Sequence, residues 1–220
     1  MNAEWTGPVA SHMLGGLWVT LRVSLLTTLV ATAIGVAVGA FCASTRPGVK
    51  FAVRAYIDVF RGVPSLITLL FVFFALPHIG ISTGPITASV LGLALWGGAN
   101  IAETARGALV SISPHQARAA RALGMSRFDA LVFAVMPQAL RRFLPPYIGQ
   151  LTVLIQASAL TSVVGVTDLL GSARQMIERL AYVSNDAHAV EIYCSVLAVF
   201  FVICYPLTLL SDHLERRLRS

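Results

Sequence analysis

Charge is what this sequence has least of. Lys, Arg, Asp and Glu together make up 12% of its 220 residues, about half of the ~25% usual in soluble domains. Apolar residues make up 56%, more than a water-soluble chain of this length can hide. That imbalance excludes a soluble enzyme, a disordered chain and a secreted disulfide module. Cysteine is scarce as well. Cys42, Cys194 and Cys204 lie in apolar runs without the spacing of a disulfide framework or a zinc site, and read as small core residues. There is no Gly-rich phosphate loop ending in Lys-Ser/Thr, no Gly-x-Ser-x-Gly elbow and no His-Glu-x-x-His pair. No residue is therefore assigned as catalytic or as a metal ligand. The chain reads as an integral membrane protein.

The charge-free stretches define the crossings. They run Val23–Thr45, Gly62–Ala102, Phe143–Thr167 and Ile192–Ser211, of 23, 41, 25 and 20 residues. A crossing needs roughly 20 residues, so the longest stretch holds two helices, separated at Pro77-His78-Ile79-Gly80 and Gly84-Pro85. The reading is an all-α fold with five transmembrane helices, about 17–44, 57–77, 85–105, 146–167 and 188–210. Basic residues give the orientation. Thirteen of the 16 lie after the first, third and fifth spans, so the rule of positive cytoplasmic loops predicts an outer N-terminus and a cytoplasmic C-terminus. Residues 1–14 are then an extracytoplasmic segment, 15–212 the membrane domain and 213–220 a cytoplasmic tail. Met1–Ser11 has no Lys or Arg and does not read as a signal peptide. In span one, Ala31, Gly35, Gly39 and Ala43 recur every four residues and predict close approach of a helix, within the chain or from another subunit.

Between spans three and four, residues 106–145 are too polar for the membrane yet well patterned. Ser113, Pro114 and Gln116 form a helix-start signature. The alanine-rich helix His115–Leu123 follows and stops at Gly124. Ser126 and Asp129 start a second helix, which Pro137 is expected to end or kink near Met136. This helix-turn-helix carries six Arg and one Asp. A DNA-binding role is set aside because the unit is tethered to membrane spans at both ends and is too small to fold alone. No nucleic-acid partner is expected. A short small-residue helix on a rigid turn suits insertion into a cleft of another protein.

The residues here resemble the EAA loop of ATP-binding-cassette importer permeases. Gln116-Ala117-Arg118-Ala119-Ala120-Arg121-Ala122-Leu123-Gly124 and, nine residues later, Ala134-Val135-Met136-Pro137-Gln138-Ala139 resemble that loop, and the Pro-Gln-Ala ending resembles the branch for polar amino acids. Further matches are Gly16-Leu17-Trp18-Val19-Thr20-Leu21, Tyr56 with Arg61-Gly62-Val63-Pro64, Ala102-Glu103-Thr104-Ala105-Arg106-Gly107-Ala108, and Leu160-Thr161-Ser162-Val163-Val164-Gly165-Val166. They span roughly residues 15–170 in order. The resemblance implies a permease subunit in the bacterial inner membrane, itself no enzyme. Its implied partners are a cytoplasmic ATPase that binds ATP and Mg, a second permease subunit (identical or not), an extracytoplasmic solute-binding protein and membrane lipid. It implies an ATPase-coupling surface of His115, Gln116, Arg118, Ala119, Ala120, Leu123, Gly124 and Pro137. Arg118 stands where the family has glutamate, His115 replaces a glycine, and Gln156-Ala157 replace Lys-Asp. The reversed charge implies an ATPase with compensating acids or a sister subunit carrying the usual loop.

Polar groups within the spans are candidates for the solute path: Arg22, Asn100, Gln156, Thr161 and Ser162. Arg22 can equally snorkel to the interface, and the others can bond neighbouring helices. Glu103 and Arg106 are spaced for a pair along one helix. The outer segment Asp168–Glu191 reads as a mixed-charge loop including Asp186, and Arg174 and Glu178 are implied to contact the binding protein. The expected substrate is a polar amino acid such as glutamate, aspartate or glutamine. A secondary transporter is the alternative, but it normally has more spans, internal repeats and buried ion ligands.

Overall fold

The computed structural model describes residues 6–42, 46–184 and 187–218. Among them all regular structure is helical. In chain order the elements are α1 (Thr6–Phe41), α2 (Pro47–Gly62), α3 (Ser65–His78), α4 (Pro85–Val110), α5 (Pro114–Ala122) and α6 (Arg127–Asp129). A π-helical stretch, Ala130–Val135, leads into α7 (Met136–Ala157), a 3-10 stretch Ser158–Val164, α8 (Leu169–Ser184) and α9 (Ala189–Leu218). Four helical segments are long and apolar enough to cross a membrane, and the pair α2 and α3, meeting at 108°, brings the number to five if it counts as one span.

Several boundaries differ from the sequence expectation, each for a local reason. The straight helix expected over 57–77 is broken at Val63, whose ψ of 136° is extended. Pro64 follows it, and the proline ring disfavours helical backbone in the preceding residue. The first helix is already formed at Thr6, well before residue 17, and Gly15 and Gly16 do not interrupt it. Gly16 is used for contact: a Cβ there would lie 2.6 Å from the Asp168 carbonyl and would collide with Ser172 Oγ. The expected outer loop after span four is largely the helix α8, which buries Leu169, Ala173 and Met176 against Val9 and Met13 of α1 and Ile192 and Val196 of α9. Asp186, Ala43, Met1–Trp5 and the last two residues of the expected tail lie outside the described residues.

α4 runs through the middle of the bundle. In its most apolar window 61% of residues are buried, against 17% for α9. Its seam with α1 is built from small residues. A Cβ on Gly35 would meet Ile101 side-chain atoms at 2.5 Å, and one on Gly39 would meet the Ala105 Cβ at 3.0 Å. From the other side, Gly97 faces Leu154 and Ala31, and Gly98 faces Ile34. The small-residue spacing of α1 therefore serves packing within the chain at Ala31, Gly35 and Gly39. In lipid there is little hydrophobic drive between helices, so close backbone approach supplies the attraction. The same face of α1 buries Thr20, Ser24 and Thr27, while Leu14, Trp18, Leu25 and Leu29 point outward. Small groups face in and large apolar groups face out.

Candidate functional site

The connection between α4 and α7 is built as a rigid bracket. Ser113 Oγ accepts the His115 N–H (3.3 Å) and starts α5 with Pro114 in its first turn. At the other end Gly124 has φ +91°. Its N–H donates to Arg121 O (3.0 Å), and the Met125 N–H donates to Ala120 O (3.2 Å). This is the Schellman closure, which satisfies the last carbonyls of the helix and needs a left-handed residue after it. Ser126 Oγ then accepts the Asp129 N–H (3.1 Å) and donates to Asp129 Oδ2 (2.6 Å), capping the next helix.

Of the two outcomes expected for Pro137, an end to the helix is not the one found. The helix continues from Arg127 to Val164. Proline lacks an N–H and would crowd the carbonyl one turn earlier in a regular α-helix. The chain adopts the wider π register over Ala130–Val135 just before it, a device that recurs at functional sites. Pro137 then sits in the first turn of α7, and the Gln138 amide donates to Ala134 O (2.8 Å). Ala120 and Ala130 are buried where α5 meets this stretch. The Arg142 guanidinium donates to Ser111 O, tying α7 to the end of α4. The bracket is thus continuous with two spans. What it presents is His115, Gln116, Arg118 and Ala119 on α5, with Leu123 84% exposed at the turn and Phe128 70% exposed beyond it. Of the expected coupling residues, Ala120 faces inward and Pro137 lies on α7, away from α5 in sequence.

A second polar group forms where α2 meets α4. Arg106 makes two 2.7 Å bonds to the Glu103 carboxylate, as the three-residue spacing predicts. Arg61 of α2 adds a longer contact, 3.6 Å to Glu103 Oε1. Glu103 therefore bridges the bent pair to the central helix. Tyr56 completes the bridge, its hydroxyl donating to Leu95 O (2.7 Å). Sequence reading found the pair along α4 and missed Arg61, because that contact exists only after the bend at Val63.

At the other end of the bundle, Asp168 is fully buried. Its Oδ1 accepts the Gly171 N–H (2.9 Å) as the cap of α8, and Thr20 Oγ1 accepts the Leu169 N–H (2.9 Å). Burial pushes the Asp168 carboxyl up to about 6, against backbone hydrogen bonds that pull it down. The preceding Gly165 has φ +86° and turns the chain out of the 3-10 stretch. The sequence signal for this junction was present. An Asp three residues before Gly171, followed by apolar residues at Leu169, Ala173, Met176 and Leu180, is a capped amphipathic helix.

The candidate path residues do not gather at one point. Arg22 is exposed on α1, two residues from Thr20 and so on nearly the opposite face, beside the outward stripe of Trp18, Leu25 and Leu29. Asn100 Nδ2 bonds to Trp96 O (2.9 Å), and Ser162 Oγ bonds to Ala159 O (2.9 Å), each within its own helix. Gln156 is exposed beside the Cys204 thiol of α9. Thr161 is buried with its hydroxyl unpartnered among the described residues. Neither the cleft between α1, α8 and α9 nor that between α1, α4 and α7 is lined by any of the five. Arg174 and Glu178 are exposed on α8. Among the described residues no group of three or more His, Cys, Asp or Glu is placed to hold a metal.

Comparison with known proteins agrees with this architecture. The Glutamine transport system permease protein GlnP of Escherichia coli (strain K12) is 31% identical, covering all of this chain and 99% of the relative. The Glutamate/aspartate import permease protein GltK of Escherichia coli O157:H7 is 28% identical over 97% of each. A crystal structure of an amino acid ABC transporter with histidines contains a chain 28% identical, with TM-score 0.86 over 99% of each chain. The MetNI methionine ABC transporter in an inward-facing conformation shares the fold at 24% identity, with TM-score 0.76. The family model for "Binding-protein-dependent transport system inner membrane component" matches residues 35–220. The chain belongs to this family of inner membrane components, the permeases of ABC importers.

Proposed function

We propose that this permease carries a polar amino acid, of the glutamine, glutamate or aspartate class, inward across the bacterial cytoplasmic membrane. The relatives named for those solutes support the substrate class. The chain supplies half of the path and pairs with a second permease subunit. A cytoplasmic ATPase that binds ATP and Mg drives it, and an extracytoplasmic binding protein delivers the solute to the end that carries α8. The observation that carries this reading is the α5 bracket. It is a short helix closed at both ends, exposed at its tip, and joined through the π stretch to a spanning helix. A push on α5 reaches α7 without passing through a flexible joint.

In this reading α5 faces the cytoplasm, and Arg174 and Glu178 face the binding protein. Two measurements test it. Ser126→Cys, in a chain whose three native cysteines are replaced by serine, reacts with an impermeant maleimide in inside-out vesicles and not in intact cells. Labelling in intact cells would reverse the orientation. Leu123→Ser leaves the amount of embedded subunit unchanged while uptake of labelled glutamine, glutamate or aspartate falls together with retention of the ATPase. Retention of the ATPase at the wild-type level would mean that α5 is only a connector.

A further inference from the structure

The exposed tip of the bracket carries charge of one sign. From Pro114 to Phe128 the accessible ionisable side chains are His115, Arg118, Arg121 and Arg127, with no acid among them. The next carboxylate along the chain, Asp129, is only partly exposed and is held by Ser126. Arg118 lies along its own helix, its Nε donating to Pro114 O (3.5 Å) with Nη2 3.5 Å from His115 Nε2. Neither bond neutralises it. Among the described residues Arg118, Arg121 and Arg127 make no ion pair, whereas Arg54, Arg61 and Arg106 all lie against carboxylates.

The same exposed segment carries apolar side chains. Leu123 is 84% exposed, Phe128 70% and Met125 39%. Four alanines, Ala117, Ala119, Ala120 and Ala122, keep α5 narrow enough to enter a cleft. An exposed tip that carries both arginines and large apolar side chains is complementary to a protein cleft, since both are favoured at protein interfaces. A phosphate backbone would match the arginines and leave Leu123 and Phe128 in water.

We infer that the surface receiving α5 is an acidic cleft of the ATPase, with carboxylates placed to meet Arg118 and Arg121 around an apolar pocket for Leu123. This rests on the reading of α5 as the docking element. It adds the sign of the partner's charge, and so which ATPases this permease can accept. Paired arginine and carboxylate groups set partner choice, because a like-charged cleft is rejected as firmly as an opposite one is accepted.

The test uses the full-length permease in detergent and the purified ATPase subunit of the same importer. Affinity is measured as sodium chloride rises from about 50 mM to about 500 mM, a range over which exposed charges become screened. Wild-type affinity is expected to fall about tenfold or more. The double variant Arg118→Gln/Arg121→Gln binds about tenfold more weakly at low salt and loses most of the salt dependence. Arg118→Glu/Arg121→Glu does not bind, and lysine replacements of the cleft carboxylates restore it. Both arginines are exposed, so an unchanged gel-filtration profile is expected for each variant.

Wild-type affinity in Arg118→Glu/Arg121→Glu would overturn the inference. So would arginine-dependent capture of phosphatidylglycerol vesicles or duplex DNA with ATPase affinity unchanged. Leu123→Ser distinguishes docking through α5 from the charge of the cleft that receives it. If Leu123→Ser binds the ATPase normally, the docking reading itself fails. If it binds weakly while the glutamate variant binds normally, only the acidic cleft is lost.

Discussion

Gly35 and Gly124 both resist replacement, for opposite reasons. At Gly35 the obstacle is another helix: Ile101 atoms and the Gly98 carbonyl occupy the space a side chain would need. At Gly124 nothing lies within 4 Å, and the obstacle is the residue's own backbone at φ +91°. The α1–α4 seam is held by proximity between helices remote in sequence. The turn at Gly124 is held by local hydrogen bonds between residues at most five apart, and only the Arg142–Ser111 bond at the base of the bracket reaches further. The buried seam is a matter of packing, whereas the exposed bracket is a matter of conformation. Damage to the first should cost the fold, and damage to the second should cost coupling.

The largest effect is expected at the seam. Gly35→Leu forces α1 away from α4, and overpacking of this kind costs ~1–3 kcal/mol or more. The yield of monodisperse subunit extracted from membranes should collapse, along with its thermal midpoint. A normal yield would show that the seam opens without penalty.

Gly124→Val should leave that yield intact. A β-branched side chain in the left-handed region costs about 1–2 kcal/mol, confined to a turn outside the bundle. Uptake and ATPase retention are expected to fall severalfold while the thermal midpoint moves little. A large drop in the midpoint, with coupling preserved in the surviving protein, would erase the contrast between the two regions.

Glu103 belongs to both kinds of contact, because it joins a local pair to a remote one. Glu103→Gln leaves Arg61 and Arg106 without their carboxylate. Arg61 and Arg106 are both partly exposed, so the loss is expected at no more than about 1 kcal/mol. A double-mutant cycle with Arg61→Gln measures how much of it holds α2 to α4. Zero coupling energy would confine the pair to α4.

The effect at Asp168 is read through pH rather than through a lost contact. Its carboxyl stands at about 6 in the folded chain against an ordinary 3.8, so the folded state holds the proton more tightly than the unfolded state does. Stability is therefore greatest in acid and is lost as pH rises between roughly 4 and 6, with little change above 7. Asp168→Asn keeps an oxygen to cap α8 and removes the titration. The midpoint of the wild type should fall between pH 4.5 and pH 7 by more than that of Asp168→Asn. Parallel pH profiles would show that the buried carboxyl does not titrate in this range.

Much of this was legible in one dimension. Low charge and long apolar runs required helices across a bilayer, because lipid cannot satisfy an open backbone. Ser113, Pro114, Gly124 and Ser126 act on neighbours in sequence, so the bracket could be drawn from them almost residue by residue. The small-residue spacing of α1 predicted a close helix, but not which helix. Only the folded chain paired Gly35 with Ile101 and Arg61 with Glu103, because each contact joins segments more than 40 residues apart. In α1 the hydroxyls of Thr20, Ser24 and Thr27 are buried while Leu14, Trp18, Leu25 and Leu29 are exposed, so hydrophobicity could not say which face is inward. Side-chain size decided that, and size has meaning only against a neighbour. The angle at Val63 and the π register before Pro137 were left to tertiary structure for a related reason. A proline limits the local backbone, and the surrounding helices choose among the conformations it permits.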